Sequence, residues 1–280
     1  MSVHIDQFEG KRAGFFFLTH WHSDHTAGLT ASWAKGPLFC SQLTKEILLR
    51  ARPCIREDRI KVLVLGKKTW LGKGKKRTMS VTSYDANHIR GSIMLLFETR
   101  KTGKRTLYTG DYRFKVGLLV PTEVSMLYLD KTFQSSGERH LSLQQSTDLA
   151  NKWIEDGGRN IGYIHVGTCT LLQNLFDCYG YTFHPMGFTD ETQNICSLMY
   201  PEIWDETSCL RIYPVWKKKE DPSPLPLLIP SARWFMNGAF IGEIHTDEKG
   251  RDRLDFTNHS DAFDNQNMIE NVQPEMYSYM

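Results

Sequence analysis

At 280 residues the chain has room for one large domain or two modest ones, and 40% hydrophobic against 24% charged residues is a globular balance that excludes a disordered or fibrous polymer. A formal net charge of +2 excludes a polycation, so any grip on nucleic acid must come from local patches. Six scattered cysteines without a Cys-x-x-Cys pair argue against a cysteine zinc site and for a reducing compartment. The absence of both a run of about 18 apolar residues and a signal-peptide opening leads us to expect a soluble, non-secreted chain.

In chain order, the first half reads as strands with short connections, at residues 3–6, 14–19, 37–40, 61–65, 79–85, 92–98, 105–110 and 126–130. Most are β-branched or aromatic runs with polar or Gly ends. Residues 42–51 have helical spacing, with Leu43, Ile47 and Leu48 on one side. Ser142-Leu143-Gln144-Gln145 is a capping-box pattern that opens a helix through Ala150 and Ile154, stopped by Gly157-Gly158. A strand at 161–166, a helix at 171–179, a helix at 190–199 capped by Asp190 and a strand at 210–215 follow, an alternation of the βαβ kind. Pro222, Pro224 and Pro226 break it, and strands at 227–230 and 239–244 precede a final helix capped by Ser260.

The chemistry concentrates at His20-Trp21-His22-Ser23-Asp24-His25, directly after the apolar strand at 14–19. His20 and His22 are two apart, so on an extended segment they project the same way, and Asp24 and His25 follow once the chain turns. Imidazole and carboxylate are the ligand set of zinc or a similar divalent ion, and two close metals suit phosphoryl transfer. The bland alternative is a His-rich surface turn, which a buried-looking strand and a small Gly-containing turn disfavour. His88 follows a strand, Asp111 and Asp130 end strands, and His259 lies far downstream. Each alone would read as a turn former, cap or ordinary histidine. The first three share a position at strand ends, where an α/β scaffold gathers its chemistry.

With these residues in place, the chain resembles the metallo-β-lactamase fold with a β-CASP insertion, and within it the DNA cross-link repair nucleases. The resemblance rests on residues 15–30 (FFFLTHWHSDHTAGLT), 38–49 (LFCSQLTKEILL), 85–98 (DANHIRGSIMLLFE), 107–114 (LYTGDYRF), 127–133 (LYLDKTF) and, more weakly, 257–263 (TNHSDAF). It implies an αββα sandwich at 1–140, an inserted β-CASP α/β domain at 141–235 and a short closing part at 236–280. Asp6 would support the ligands from behind. His20, His22, His88 and Asp111 would hold one metal, and Asp24 and His25 a second, with Asp111 bridging. His259 would complete the second site or protonate the leaving oxygen, Asp130 would lead into the insertion, and Asp24 or Asp130 would orient a metal-activated water. The cofactor is then one or two zinc ions, with manganese or magnesium as substitutes, and the partner is DNA, single-stranded or with ends, in the nucleus and not at a membrane.

Three departures from the family pattern stand out. His88-Ile89-Arg90-Gly91 replaces the usual His-Cys-Pro-Gly. Thr168 stands where a lysine associated with gripping a terminal phosphate is usual, which weakens the case for strict 5′-phosphate dependence. The chain also stops soon after the final helix, at Met280, so the closing element is expected to be short or missing. Two basic segments, Lys67 to Arg77 around Trp70 and Trp216 to Lys219, read first as solvated charge and second as phosphate tracks.

The resulting expectation is a metal-dependent DNA nuclease, a 5′→3′ exonuclease in cross-link or end repair. An RNA-processing β-CASP nuclease is the enzyme alternative, disfavoured because no histidine follows His259. A small-molecule hydrolase would not need the insertion. A non-catalytic DNA-repair scaffold is the alternative from another class, disfavoured by the intact ligand run.

Overall fold

The computed structural model describes residues 2–10, 13–30, 33–72, 74, 77–135, 137, 139–215, 225–235 and 242–280. The chain forms two compact units, one from Met1–Ser135 together with His259–Met280, the other from Ser136–Asn258. In the first unit, β1 (Val3–Ile5), β2 (Phe15–Phe17), β3 (Leu38–Cys40) and, after helix α1 (Gln42–Ala51), β4 (Ile60–Val62) pair in parallel in that order. The hydroxyl of Ser41 caps α1 by accepting from the Thr44 N–H. A second sheet starts with β5 (Thr69–Leu71), β6 (Met79–Asp85), β7 (Ile93–Thr99) and β8 (Arg105–Tyr108), an antiparallel meander that β9 (Met126–Leu129) joins in parallel.

The unbroken Phe15-Phe16-Phe17-Leu18 run is apolar because both faces of β2 are covered. Phe17 and Phe39 pack against Leu71, Val81, Ile93, Leu95 and Phe97 of the second sheet, with Phe17 stacked on Phe39 at 5.0 Å and edge-on to Phe97 at 5.1 Å. Phe16 and Leu18 face the other way, into a cluster with Phe8, Trp33, Leu38 and Leu48 of α1.

The second unit begins with α2 (Leu143–Glu155), whose capping box forms as its sequence predicts, Ser142 accepting from the Gln145 N–H and Gln145 accepting from the Ser142 N–H. Then come β10 (Asn160–Tyr163), α3 (Thr168–Tyr179), β11 (His184–Pro185), α4 (Asp190–Met199), β12 (Arg211–Pro214), β13 (Leu227–Pro230), β14 (His245–Thr246) and β15 (Asp252–Leu254). They build a six-stranded sheet in the order β11-β12-β10-β13-β15-β14, parallel except for β14. The unit extends past the expected boundary at 235 because β15 pairs with β13. Helix α3 starts three residues earlier than expected, at Thr168, and Thr189 rather than Asp190 caps α4, its hydroxyl accepting from the Thr192 N–H. Of the strand expected at 239–244, residues 239–241 lie outside the described residues and 242–244 are not a strand. Trp216 to Lys219 lie outside them as well, as do Lys73, Lys75 and Lys76 of the first basic segment.

The chain returns to the first unit in α5 (Ala262–Val272) and β16 (Met276–Tyr279), a strand that the sequence reading missed and that pairs with the free edge of β9. Asp261, not Ser260, caps α5 by accepting from the Asp264 N–H. Met268 and Val272 of α5 pack with Leu96, Leu107, Leu127 and Leu129 on the outer face of the second sheet. The first unit is therefore layered helix, sheet, sheet, helix, an α/β arrangement compatible with the expected metallo-β-lactamase sandwich. Because β6 and β8 both run against β7 while β9 runs with β8, the C-terminal ends of β6, β8 and β9 share one edge. The Ile93 N–H, at the start of β7, donates to the Thr19 carbonyl at 3.0 Å and brings the end of β2 to the same place. No helix among the described residues is long and apolar enough to cross a membrane.

Candidate metal centre

Four of the expected ligands meet at that edge. One ligand atom from each of His20, His22, His88 and Asp111 lies within 4.8 Å of every other. His20 Nε2 is 3.0 Å from His22 Nδ1, and His88 Nε2 is 3.2 Å from the same atom. Asp111 Oδ2 stands 3.6 Å from His20 Nε2 and 3.8 Å from His88 Nε2. Ligands held at the usual zinc distances around a tetrahedron sit about 3.3 Å apart. The four separations bracket that spacing, so the donor set fits a zinc-sized ion.

The protonation of His20 follows from its neighbours. The Thr19 hydroxyl donates its single proton to Asp6 Oδ2 at 2.7 Å, so at 3.0 Å it can only accept from His20 Nδ1–H. That fixes the tautomer and leaves Nε2 as the lone-pair atom turned toward His22 and Asp111. Burial, reinforced by the rings of His88, His22, His25 and His259, holds the His20 pKa well below its ordinary value, so the ring is neutral, as a ligand must be. Gly110 lets the strand end approach: its φ is +57°, and a Cβ there would meet the Thr19 side chain at 3.2 Å.

A second group shares Asp111. One ligand atom each of Asp111, Asp130 and His259 again lies within 4.8 Å of the others. His259 Nδ1 is 2.8 Å from Asp130 Oδ2 and 3.9 Å from Asp111 Oδ2, and its ring packs against His88 at 4.6 Å. Burial lowers the His259 pKa, but the Asp130 hydrogen bond and charge outweigh it and raise the pKa overall. Partial burial works against the charge of Asp111 as well, yet the His25 hydrogen bond and the charges of His259 and His88 hold its carboxyl below the usual range, and it stays ionised. Thr132 binds the other Asp130 oxygen through its N–H at 2.8 Å and hydroxyl at 2.7 Å, which fixes the carboxylate.

The remaining expected residues fall at different depths. His25 bridges Asp6 Oδ2 at 2.9 Å and Asp111 Oδ2 at 3.1 Å, and those two carboxylates overcome its burial and raise its pKa to about 10. Asp24 lies at the rim, its side chain 77% exposed and 3.8 Å from His25 Nε2, and it joins neither group. Sequence reading passed over Thr19 and Arg113, whose Nη1 donates to the His259 carbonyl at 2.8 Å. Their only signal is adjacency to His20 and Asp111, because the contacts they make span the fold.

No protein-family model matches the chain. It is 35% identical over 188 residues to the 5′ exonuclease Apollo of Mus musculus, covering 62% of this chain and 34% of that protein. It is 31% identical over 156 residues to the DNA cross-link repair protein pso2/snm1 of Schizosaccharomyces pombe, covering 48% of this chain and 26% of that protein. The relatives it resembles are thus named as a 5′ exonuclease and as a DNA cross-link repair protein. A crystal structure of a protein of unknown function from Enterococcus faecalis V583 superposes with a TM-score of 0.61 at 14% identity, covering 95% of this chain and 75% of that one, and shows the same fold. The chain spans about a third of the length of the Apollo relative, 34%.

Against the pattern of the DNA cross-link repair nucleases, the position of Thr168 now has a geometry. It is the first residue of α3, buried, and its hydroxyl accepts from the Ile164 N–H at 3.2 Å. The oxygen is engaged by its own loop, and the side chain supplies no charge. At the first departure, Arg90 is exposed in the turn after His88, where the Ser92 hydroxyl accepts from the His88 and Ile89 N–H groups.

Proposed function

We propose that this chain is the nuclease part of a nuclear DNA cross-link or end repair protein, a metal-dependent phosphodiester hydrolase acting as a 5′→3′ exonuclease on DNA. The first unit would be its metallo-β-lactamase part and the second its β-CASP insertion. The observation that carries the reading is the pair of ligand groups sharing Asp111 at one edge of the sheets. His20, His22, His88 and Asp111 would hold one zinc ion. Asp111, Asp130 and His259, with His25 alongside, would flank a second, for which manganese or magnesium could substitute, and Asp24 at the rim would complete that side. Such ions polarise a phosphoryl oxygen and activate water when bound.

The chain's own residues supply the rest. Asp6, through Thr19 and His25, holds the two rings facing Asp111. Asp130 orients His259 through Nδ1, which makes Nε2 the atom to exchange a proton with the leaving oxygen. Thr168, uncharged and buried at the start of α3, supports a nuclease that does not insist on a 5′-phosphate.

The test is cleavage, with zinc or manganese, of end-labelled single-stranded DNA bearing 5′-phosphate, 5′-hydroxyl or blocked ends, alongside matching RNA. Stepwise shortening from the free 5′ end, abolished in Asp111→Asn, is the expected result. No cleavage of any DNA, or identical behaviour of the parent and Asp111→Asn, overturns it. Preference for RNA would move the assignment to the RNA-processing branch.

A further inference from the structure

We infer that Arg113 is a positioning residue that locks the His259 side of the centre to the His88 side, an inference that rests on the metal-centre reading above. Arg113 lies two residues after Asp111 with its side chain only 12% exposed. Its guanidinium makes one hydrogen bond, Nη1 to the His259 carbonyl at 2.8 Å, and one ion pair, with Nε 3.1 Å from Asp264 Oδ2. Its main chain makes two more, the N–H donating to the Ala86 carbonyl at 3.0 Å and the carbonyl accepting from Asn87 Nδ2 at 2.9 Å. One residue thus ties together the end of β6 just before His88, the segment that carries Asp111, the loop that carries His259 and the first turn of α5.

Its neighbours extend the grip. The Ser260 N–H donates to the Tyr112 carbonyl at 2.7 Å, the Phe114 N–H donates to Ser260 Oγ at 2.9 Å, and the Tyr112 hydroxyl donates to Asn265 Oδ1 at 2.6 Å. These contacts hold the chain on either side of His259, and the guanidinium holds the carbonyl of His259 itself. Nothing in the Asp130–His259 pair restrains that carbonyl, so without Arg113 the ring keeps its carboxylate partner and loses a fixed distance to Asp111. The rigid guanidinium serves the His259 carbonyl through Nη1 while keeping its charge beside Asp264, and a lysine ammonium has no second, separately placed nitrogen with which to do both.

Arg113→Lys and Arg113→Ala test this, with a cooperative melting transition as the criterion for a folded variant; where alanine fails it, lysine carries the test. Hydrogen exchange at the Ser260 amide, read without metal or substrate, is expected to speed up in both variants. Zinc titration is expected to show one site at the parent affinity and a second weakened roughly 10- to 100-fold, the range for lost outer partners of metal ligands. On an oligonucleotide, kcat should fall while KM holds, and tens of millimolar guanidinium ion should partly restore kcat in Arg113→Ala but not in His259→Ala. Unchanged exchange at Ser260, or equal weakening of both zinc sites, overturns the positioning role. A parent that binds zinc but cuts no DNA defeats the nuclease reading alone, and a parent that binds no zinc defeats the metal reading, while the exchange result still decides the role of Arg113.

Discussion

Thr19 has one hydroxyl proton, and Asp6 takes it at 2.7 Å, so the lone pair left over dictates which nitrogen of His20 carries hydrogen. Valine has nearly the same shape and neither function. Thr19→Val should therefore leave Asp6 one donor short in a buried position, costing about 1–3 kcal/mol of stability. It should also weaken zinc binding by roughly 10- to 100-fold through loss of the tautomer lock. Competition against a chelator of known affinity measures the second effect, and Thr19→Ser should recover most of it because the hydroxyl returns. Parent affinity in Thr19→Val would mean that the ring is held by packing alone. The same reasoning separates Asp24 from Asp111, two aspartates that a sequence presents on equal terms. One is 77% exposed at the rim, while the other is only 16% exposed and kept ionised by His25, His259 and His88.

The turn joining β14 to β15 is organised by a single carboxylate. Asp247 accepts from the main chain of Lys249 and Arg251 and from the side chains of Arg251 and Arg253. Burial works against its ionisation, but the hydrogen bonds from Arg251, Arg253 and Lys249 more than offset it and hold the pKa below the ordinary value. A carboxyl with a depressed folded pKa contributes stability above its unfolded pKa of about 3.9, and that stability drains away as the pH falls toward the folded value. With solvent screening this partly exposed cluster, Asp247→Asn should cost on the order of 1 kcal/mol at neutral pH. The gap between variant and parent should narrow progressively as the pH falls below about 4. Urea unfolding across that range measures it, and a gap that persists in strong acid would assign the loss to turn geometry instead. Elements of this kind mark the limit of what sequence conveys. The capping box at Ser142 needs only neighbours along the chain and forms as written. Ser260 looks like a cap, yet its N–H goes to Tyr112 and its hydroxyl to the Phe114 N–H, contacts across the fold that leave capping to Asp261. Strands β14, β15 and β16 were missed because they are short and polar or carry only part of an alternation, and partner strands, not propensity, make them.

At the scale of the whole chain, all of the candidate ligands belong to one of the two units. His20, His22, His25, His88, Asp111 and Asp130 lie in Met1–Ser135, and His259 opens the segment that returns to it. The second unit, Ser136–Asn258, has its own sheet and contributes no residue to either ligand group among the described residues. Metal binding that involves only folded ligands adds stability by mass action, about 2.7 kcal/mol when the free ion stands at 100 times its dissociation constant. For a unit of this size that corresponds to roughly 5–10 °C in the melting temperature. Zinc should therefore raise the transition of the first unit and leave that of the second where it was, and a chelator should reverse the shift. Scanning calorimetry on the parent and on Asp111→Asn, which removes the carboxylate common to both groups, separates the cases. If the two transitions move together with zinc, the units unfold as one cooperative block. If neither moves in the parent, the convergence of imidazoles at the strand ends does not hold the ion.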